Sequence, residues 1–205
     1  MAASASPMSE LTIDIARRHF ADLPEWLIVH LERVSALARR LALRWDADPE
    51  RCALAGFLHD VVRAHAPGDL LEQAKAQGLA VDPVASAVPI LLHGPLGAAL
   101  VKEVFSLRDE EILDAIAWHS TGRDNMSQLE KIVLLADKLD PEKGGYYPGL
   151  EDLSQLAEEN LDRAVLRYLE WQTKRLLEEG GLIHPAAIDA RNYLIQRLRQ
   201  GGQAL

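Results

Sequence analysis

Apolar residues recur along this chain at helical spacing almost from end to end, and no stretch alternates as a half-buried strand would. Between Trp26 and Trp45 the positions Leu27, Leu31, Val34, Ala38, Leu41 and Trp45 advance in steps of four and three, which predicts one long helix with a buried stripe. Pro49 and Glu50 open a second helix that carries Leu54, Phe57 and Leu58 towards Val61. A short helix is predicted from Asp69 to Gln77, stopped by Gly78. Pro83, Pro89, Gly94 and Pro95 punctuate a stretch of broken helix and loop, with Pro95 the expected first residue of a helix reaching Phe105. From Asp109 to His119 the residues Ile112, Ile116 and His119 share one face. Asn125 or Ser127 caps the next helix, whose apolar face is Leu129, Ile132, Val133 and Ala136. Beyond the loop DPEKGGYYPG, one long helix is predicted from Glu151 to Glu179, and Pro185 starts a last one. The expected fold class is all-α: a single helical bundle domain over residues 10–200, preceded by a disordered segment at 1–9.

Composition narrows the picture. With 205 residues, 48% of them hydrophobic and 26% charged, the chain can build one good core but not two large ones. A net charge of -9 excludes a general nucleic-acid binder, since no basic stripe could displace counterions from a phosphate backbone. Cys52 is the only cysteine, which rules out a disulfide within the chain and a zinc–thiolate cluster. The opening MAASASPMSE has no basic and apolar segments of a secretory signal, and no apolar run is long enough to span a bilayer. A cytoplasmic protein without a membrane partner is expected, as a monomer or a homodimer.

The polar residues that interrupt the apolar stripes carry the chemistry. His30 lies between Leu27 and Val34 on the inward stripe of its helix, and His119 continues the stripe of Ile112 and Ile116. Asp137, four residues after Val133, also points inward, and His59 and Asp60 follow directly on the apolar stretch from Ala53 to Leu58. A carboxylate on a core face costs several kcal/mol unless a cation or strong donors meet it. Taken singly, each of these residues suits a satisfied core position. Inward imidazoles and carboxylates on four different helices ask for a common partner, and a divalent metal in the bundle interior supplies one.

The order His30, His59-Asp60, His93, His119, Asp137 resembles the H…HD…H…H…D signature of the HD superfamily of metal-dependent phosphohydrolases. The segments HDVVRAHAP, LLHGPLGAALV, WHSTGRDNMSQLEKIVLLAD and DPEKGGYYPGL resemble, more narrowly, the bacterial YqeK family. The resemblance implies an all-helical hydrolase that splits diadenosine tetraphosphate symmetrically into two ADP, using two divalent transition-metal ions, iron first and manganese as an alternative. It implies that His30, His59, Asp60 and Asp137 hold one ion, and that Asp60, His93 and His119 hold the other, with Asp60 bridging. Such a pair would also deliver the positive charge that an acidic chain lacks.

The resemblance extends to substrate contacts. Arg63 stands where relatives usually carry Lys, and with Arg123 it is expected to neutralise phosphate charge beside Asp60 during catalysis. The turn Ser120-Thr121-Gly122-Arg123 and the loop residue Lys143 are further candidates for phosphate binding, and Tyr146 or Tyr147 for packing against an adenine ring. Each of these cations taken alone is equally well read as a solvated surface residue. Tyr168 and Trp171 fall on a helical stripe and are expected in the core, while His19, His65 and His184 fit surface or capping positions. Leu27 and Leu31 depart from the family, which commonly has Arg and a small hydroxyl residue there, and that bears on the substrate and not on the ligands. Two rival readings remain: an HD-domain nucleotidase or phosphodiesterase acting on another nucleotide, and a non-catalytic nucleotide sensor, which an eroded ligand set would signal. None of the six ligands is missing.

Overall fold

The computed structural model describes residues 11–143 and 147–202; the expected disordered segment at 1–9 lies outside them. Among the described residues every regular element is helical, in the order α1 (Ile13–His19), α2 (Glu25–Arg44), α3 (Pro49–Leu58), α4 (Pro67–Ala76), α5 (Pro83–Ala87), α6 (His93–Phe105), α7 (Glu110–Trp118), α8 (Gln128–Lys138), α9 (Leu150–Glu159), α10 (Leu161–Glu178) and α11 (Pro185–Gln200). Among the described residues no helix is long and apolar enough to cross a membrane.

Local chemistry explains most of the boundaries. Asp48 accepts from the backbone N–H groups of Glu50 and Arg51, and Pro49 fills the first position of α3, where no N–H is needed. Of the two caps predicted for α8, Ser127 is the one used: it accepts from Glu130 N while the Glu130 carboxylate accepts from Ser127 N, a reciprocal capping box. Leu27, Leu31, Val34, Ala38 and Leu41 are all fully buried, as the stripe on α2 requires. Leu27 and Leu31, the departures from the family pattern, are therefore part of the core. Helices α2 and α3 pack closely at Gly56, where a Cβ would lie 3.1 Å from that of Ala38 and 3.2 Å from the backbone of α2. Helix α8 is buried on nearly all sides, which makes it the central rod against which α2, α3, α7 and α10 pack.

Three boundaries differ from the sequence reading. The long helix expected from Glu151 to Glu179 is two helices, because Asn160 adopts an extended backbone and its side chain caps α10 by accepting from Arg163 N. Helix α4 begins at Pro67, not Asp69, since proline is preorganised for the first helical position. Helix α6 begins at His93, two residues before Pro95, which falls in the first turn, where its missing N–H costs nothing.

Candidate metal centre

Four buried histidines and two buried aspartates converge where α2, α3, α6, α7 and α8 meet. His30 comes from the middle of α2, and His59 and Asp60 from the turn that ends α3. His93 opens α6, His119 caps the C-terminus of α7, and Asp137 lies in the last turn of α8. They form two groups, each close enough to share one ion: His30, His59, Asp60 and Asp137 in one, Asp60, His93 and His119 in the other.

Asp60 divides its oxygens between the groups. Its Oδ2 lies 3.6 Å from His30 Nε2 and 3.4 Å from His59 Nε2, while its Oδ1 lies 2.9 Å from His93 Nε2 and 3.2 Å from His119 Nε2. Asp137 Oδ1 completes the first group at 3.4 Å from both His30 Nε2 and His59 Nε2.

Each imidazole is oriented from behind. His59 Nδ1 donates to Gly56 O at 2.7 Å, His119 Nδ1 donates to Ile116 O at 2.8 Å, and His93 Nδ1 donates to Ile90 O. His30 Nδ1 instead donates to the Asp140 carboxylate at 2.6 Å. Spending Nδ1–H in this way leaves Nε2 as a lone pair, so every ring presents an acceptor to the centre. His93 and His119 Nε2 then stand 2.9 Å apart, both near Asp60 Oδ1. Acceptors so placed repel one another unless a cation lies among them, and nitrogen and oxygen donors of this kind suit divalent transition metals. The residues present fit such ions.

Electrostatics agrees. Burial alone would raise the Asp60 carboxyl, yet the neighbouring His59 charge, with His119 and His30 beside it, holds it well below the usual carboxylate range in the absence of an ion. Burial likewise pushes His119 down to about 3, with Asp60 only partly opposing it. At His59 burial also favours the neutral ring, but Asp60 and Asp137 together outweigh it and draw the group up to about 9. The two carboxylates thus demand positive charge at the first position, which an ion bound there would supply in place of the proton.

Several residues that the sequence reading did not single out support the ligands. Asp140 is fully buried, and besides His30 it accepts from Arg33 Nε at 2.7 Å and Nη2 at 3.1 Å. Burial opposes its charge, but the bonds from Arg33 and His30 leave its carboxyl below the ordinary value. Lys138 donates to Asp137 Oδ2 at 2.7 Å and lies over the Tyr168 ring. Burial works against its ammonium, and Asp137 more than restores the charge. The available signal was spacing: Arg33 and Asp140 each follow an inward ligand by three residues and so share its side of the chain.

The expected substrate contacts divide. Arg63 lines both cavities that open on the cluster, and Ser120 lines one of them, its hydroxyl 3.1 Å from His119 Nε2. Arg123 lines neither, because its guanidinium is committed to Glu130 at 2.6 Å and to Asp114 at 3.1 Å. Thr121 is turned inward and donates to Gly122 O, while Gly122, at φ +67, packs against Ala190 and Met126. These three serve the turn that presents Ser120. Tyr147 also lines neither cavity and meets Trp171 edge-on, with ring centroids 4.9 Å apart. Tyr168, expected only in the core, is buried but also walls the second cavity. Tyr146 and the Lys143 side chain lie outside the described residues. His184 is a cap, accepting from Ala186 N.

Comparison with known proteins places this arrangement. Residues 27–142 match the HD domain family. A Staphylococcus aureus protein named bis(5'-nucleosyl)-tetraphosphatase, symmetrical, is 32% identical over 173 residues, which is 83% of this chain and 88% of that protein. A Bacillus subtilis protein of the same name is 30% identical over 84% of this chain and 91% of its own length. A crystal structure of a predicted HD superfamily hydrolase involved in NAD metabolism, from Clostridium acetobutylicum, superposes with a TM-score of 0.83 at 35% identity. That match covers 90% of this chain and 96% of the other.

Proposed function

The chain belongs to the HD domain family, among relatives of the YqeK type, and we propose that it hydrolyses diadenosine tetraphosphate symmetrically to two molecules of ADP. The observation that carries this reading is the division of Asp60 between two ligand groups, which suits a pair of ions and not a single one. When bound, two divalent ions would acidify a shared water and neutralise phosphate charge. We take iron as the first candidate and manganese as the second because the family resemblance implies that order; the mixed imidazole and carboxylate donor set suits either.

The chain's own residues do the rest. His30, His59, Asp60 and Asp137 would hold one ion, and Asp60, His93 and His119 the other. Arg63, on the wall common to both cavities, neutralises the charge of the phosphates flanking the scissile bridge. Ser120 offers a hydroxyl to the reacting phosphate or to the attacking water. Water attacks an inner phosphorus, the bridging P–O bond to the neighbouring inner phosphate breaks, and ADP departs on each side. Positioning and charge neutralisation supply most of the rate for such a transfer. A protein with one cysteine, buried and unpaired, acts in the cytoplasm in this reading.

Chromatography of early reaction products tests it, with elemental analysis of the purified protein. ADP as the only product, with about two metal ions per chain, is the expected result. ATP and AMP together would overturn the symmetrical assignment, and activity confined to mononucleotides or cyclic nucleotides would overturn the substrate class.

A further inference from the structure

Two cavities open on the cluster, one beside His30 and the other beside His93 and His119. The wider, of about 630 Å³, runs from His30 and Asp60 out to Trp26 and Val29 on the exposed face of α2. The narrower, of about 330 Å³, runs from Asp60, His93 and His119 to Leu91 and Tyr168. Both volumes fall in the range of small-molecule sites. Asp60 and Arg63 line both, so the cavities meet at the residues that hold and face the phosphate chain in the proposed function.

The outer part of the wider cavity has a distinct chemistry. Trp26 is 59% exposed, an uncommon position for an indole without a partner surface. Glu25 and Glu142 line the same cavity, and of its two cations Arg33 is committed to Asp140. Two carboxylates repel phosphate but accept hydrogen bonds from sugar hydroxyls, and an indole face takes a base by stacking. This end suits a nucleoside. The polyphosphate is drawn to the shared wall, where Arg63 and the ligand cluster lie.

We propose that the two cavities are the two nucleoside halves of one dinucleotide site, with Trp26 the stacking surface of the wider half. The inference rests on the proposed function and adds a reason for symmetry: with the cluster at the common wall and one nucleoside held on either side, the central anhydride lies over Asp60. The halves are unequal. One base stacks on an open indole, while the other is enclosed by Leu91 and Tyr168.

Two measurements test this on the metal-loaded protein: ADP binding by calorimetry, and hydrolysis of diadenosine tetraphosphate beside adenosine tetraphosphate, which has one nucleoside. Trp26 is on the surface, so Trp26→Ala is expected to fold. Wild type should bind two ADP and Trp26→Ala one. Trp26→Ala should raise KM for diadenosine tetraphosphate about tenfold with little change in kcat, the loss of one base stack, and Trp26→Phe should restore it. Adenosine tetraphosphate, which can use the Leu91 side, should keep its KM. An unchanged KM for diadenosine tetraphosphate, an equal rise for both substrates, or a single ADP site in wild type would overturn the assignment. If wild type does not split diadenosine tetraphosphate, the proposed function falls, and ADP binding still decides the cavities: loss of one of two sites in Trp26→Ala supports them, and unchanged binding refutes them.

Discussion

At the His30 end of the cluster two ligands, His30 and Asp137, are backed by charge, with His59 on the Gly56 carbonyl; at the His93 end both imidazoles are backed by main chain. His30 leans on Asp140, itself held by Arg33, and Asp137 is paired with Lys138. His93 and His119 lean on the carbonyls of Ile90 and Ile116. The first group contains two carboxylates, whereas the second has only its share of Asp60. A carboxylate behind an imidazole raises its basicity and fixes its tautomer, while a carbonyl mainly fixes the tautomer. The difference teaches that one aspartate shared between two ligand groups can serve two unequal positions: a first that would bind its ion more tightly, and a second, with Ser120 beside it, that would be more open to exchange and to substrate.

The largest effect should come from erasing the residue common to both. Asp60→Ala is expected to lose both ions and several orders of magnitude in rate while retaining helical circular dichroism. Near-normal turnover, or one ion still bound, would break the comparison at its root.

Gly94→Ala sharpens it from the second side. A Cβ at Gly94 would lie 2.5 Å from Ala117 O and 3.0 Å from Ile116 O, the carbonyl that orients His119. Backbone cannot yield as a flexible side chain can, so α6 must move off α7, at a cost of about 1–3 kcal/mol. Denaturant unfolding should report that loss, and metal analysis should show the second ion depleted before the first.

Asp140→Asn probes the first side. It keeps the shape but removes the charge behind His30, and is expected to weaken the first ion by about 10–100-fold in a chelator titration. Equal weakening of both ions would contradict the unequal backing described above.

The smallest effect concerns the brace between the halves. Asp109 caps α7, which carries His119, and accepts from Arg51 of α3, which leads to His59, with both nitrogens 2.8 Å from its oxygens. The hydrogen bond from Arg51 holds the Asp109 carboxyl below its ordinary value, outweighing burial. A depressed folded-state pKa means the contribution is present above the unfolded value, near 4, and is lost as pH falls through the folded one. Asp109→Asn should therefore cost about 1 kcal/mol at neutral pH. Thermal melts of variant and wild type should converge towards pH 2; a constant gap would argue against the ion pair.

What could be read from the sequence was whatever one helix settles by itself. The stripe of Leu27, Leu31 and Val34 needed only periodicity, and His30, His119 and Asp137 stood out because each spoils such a stripe. Caps such as Ser127 and Asp48 were likewise local, and where a local signal was overlooked, at Asn160, one expected helix became two. Only the tertiary structure decided relations between helices. Asp60 faces two ligand groups because α3 ends between α2, α6, α7 and α8. Arg123 was expected at the substrate phosphates from the family resemblance; what the packing adds is the buried Glu130 of α8, whose carboxylate it pairs with in this structure. The roles of Asp140 and Lys138, and the place of Arg63 on the wall of two cavities, were hidden for the same reason. Periodicity says which side of a helix is buried, and only packing says what it is buried against.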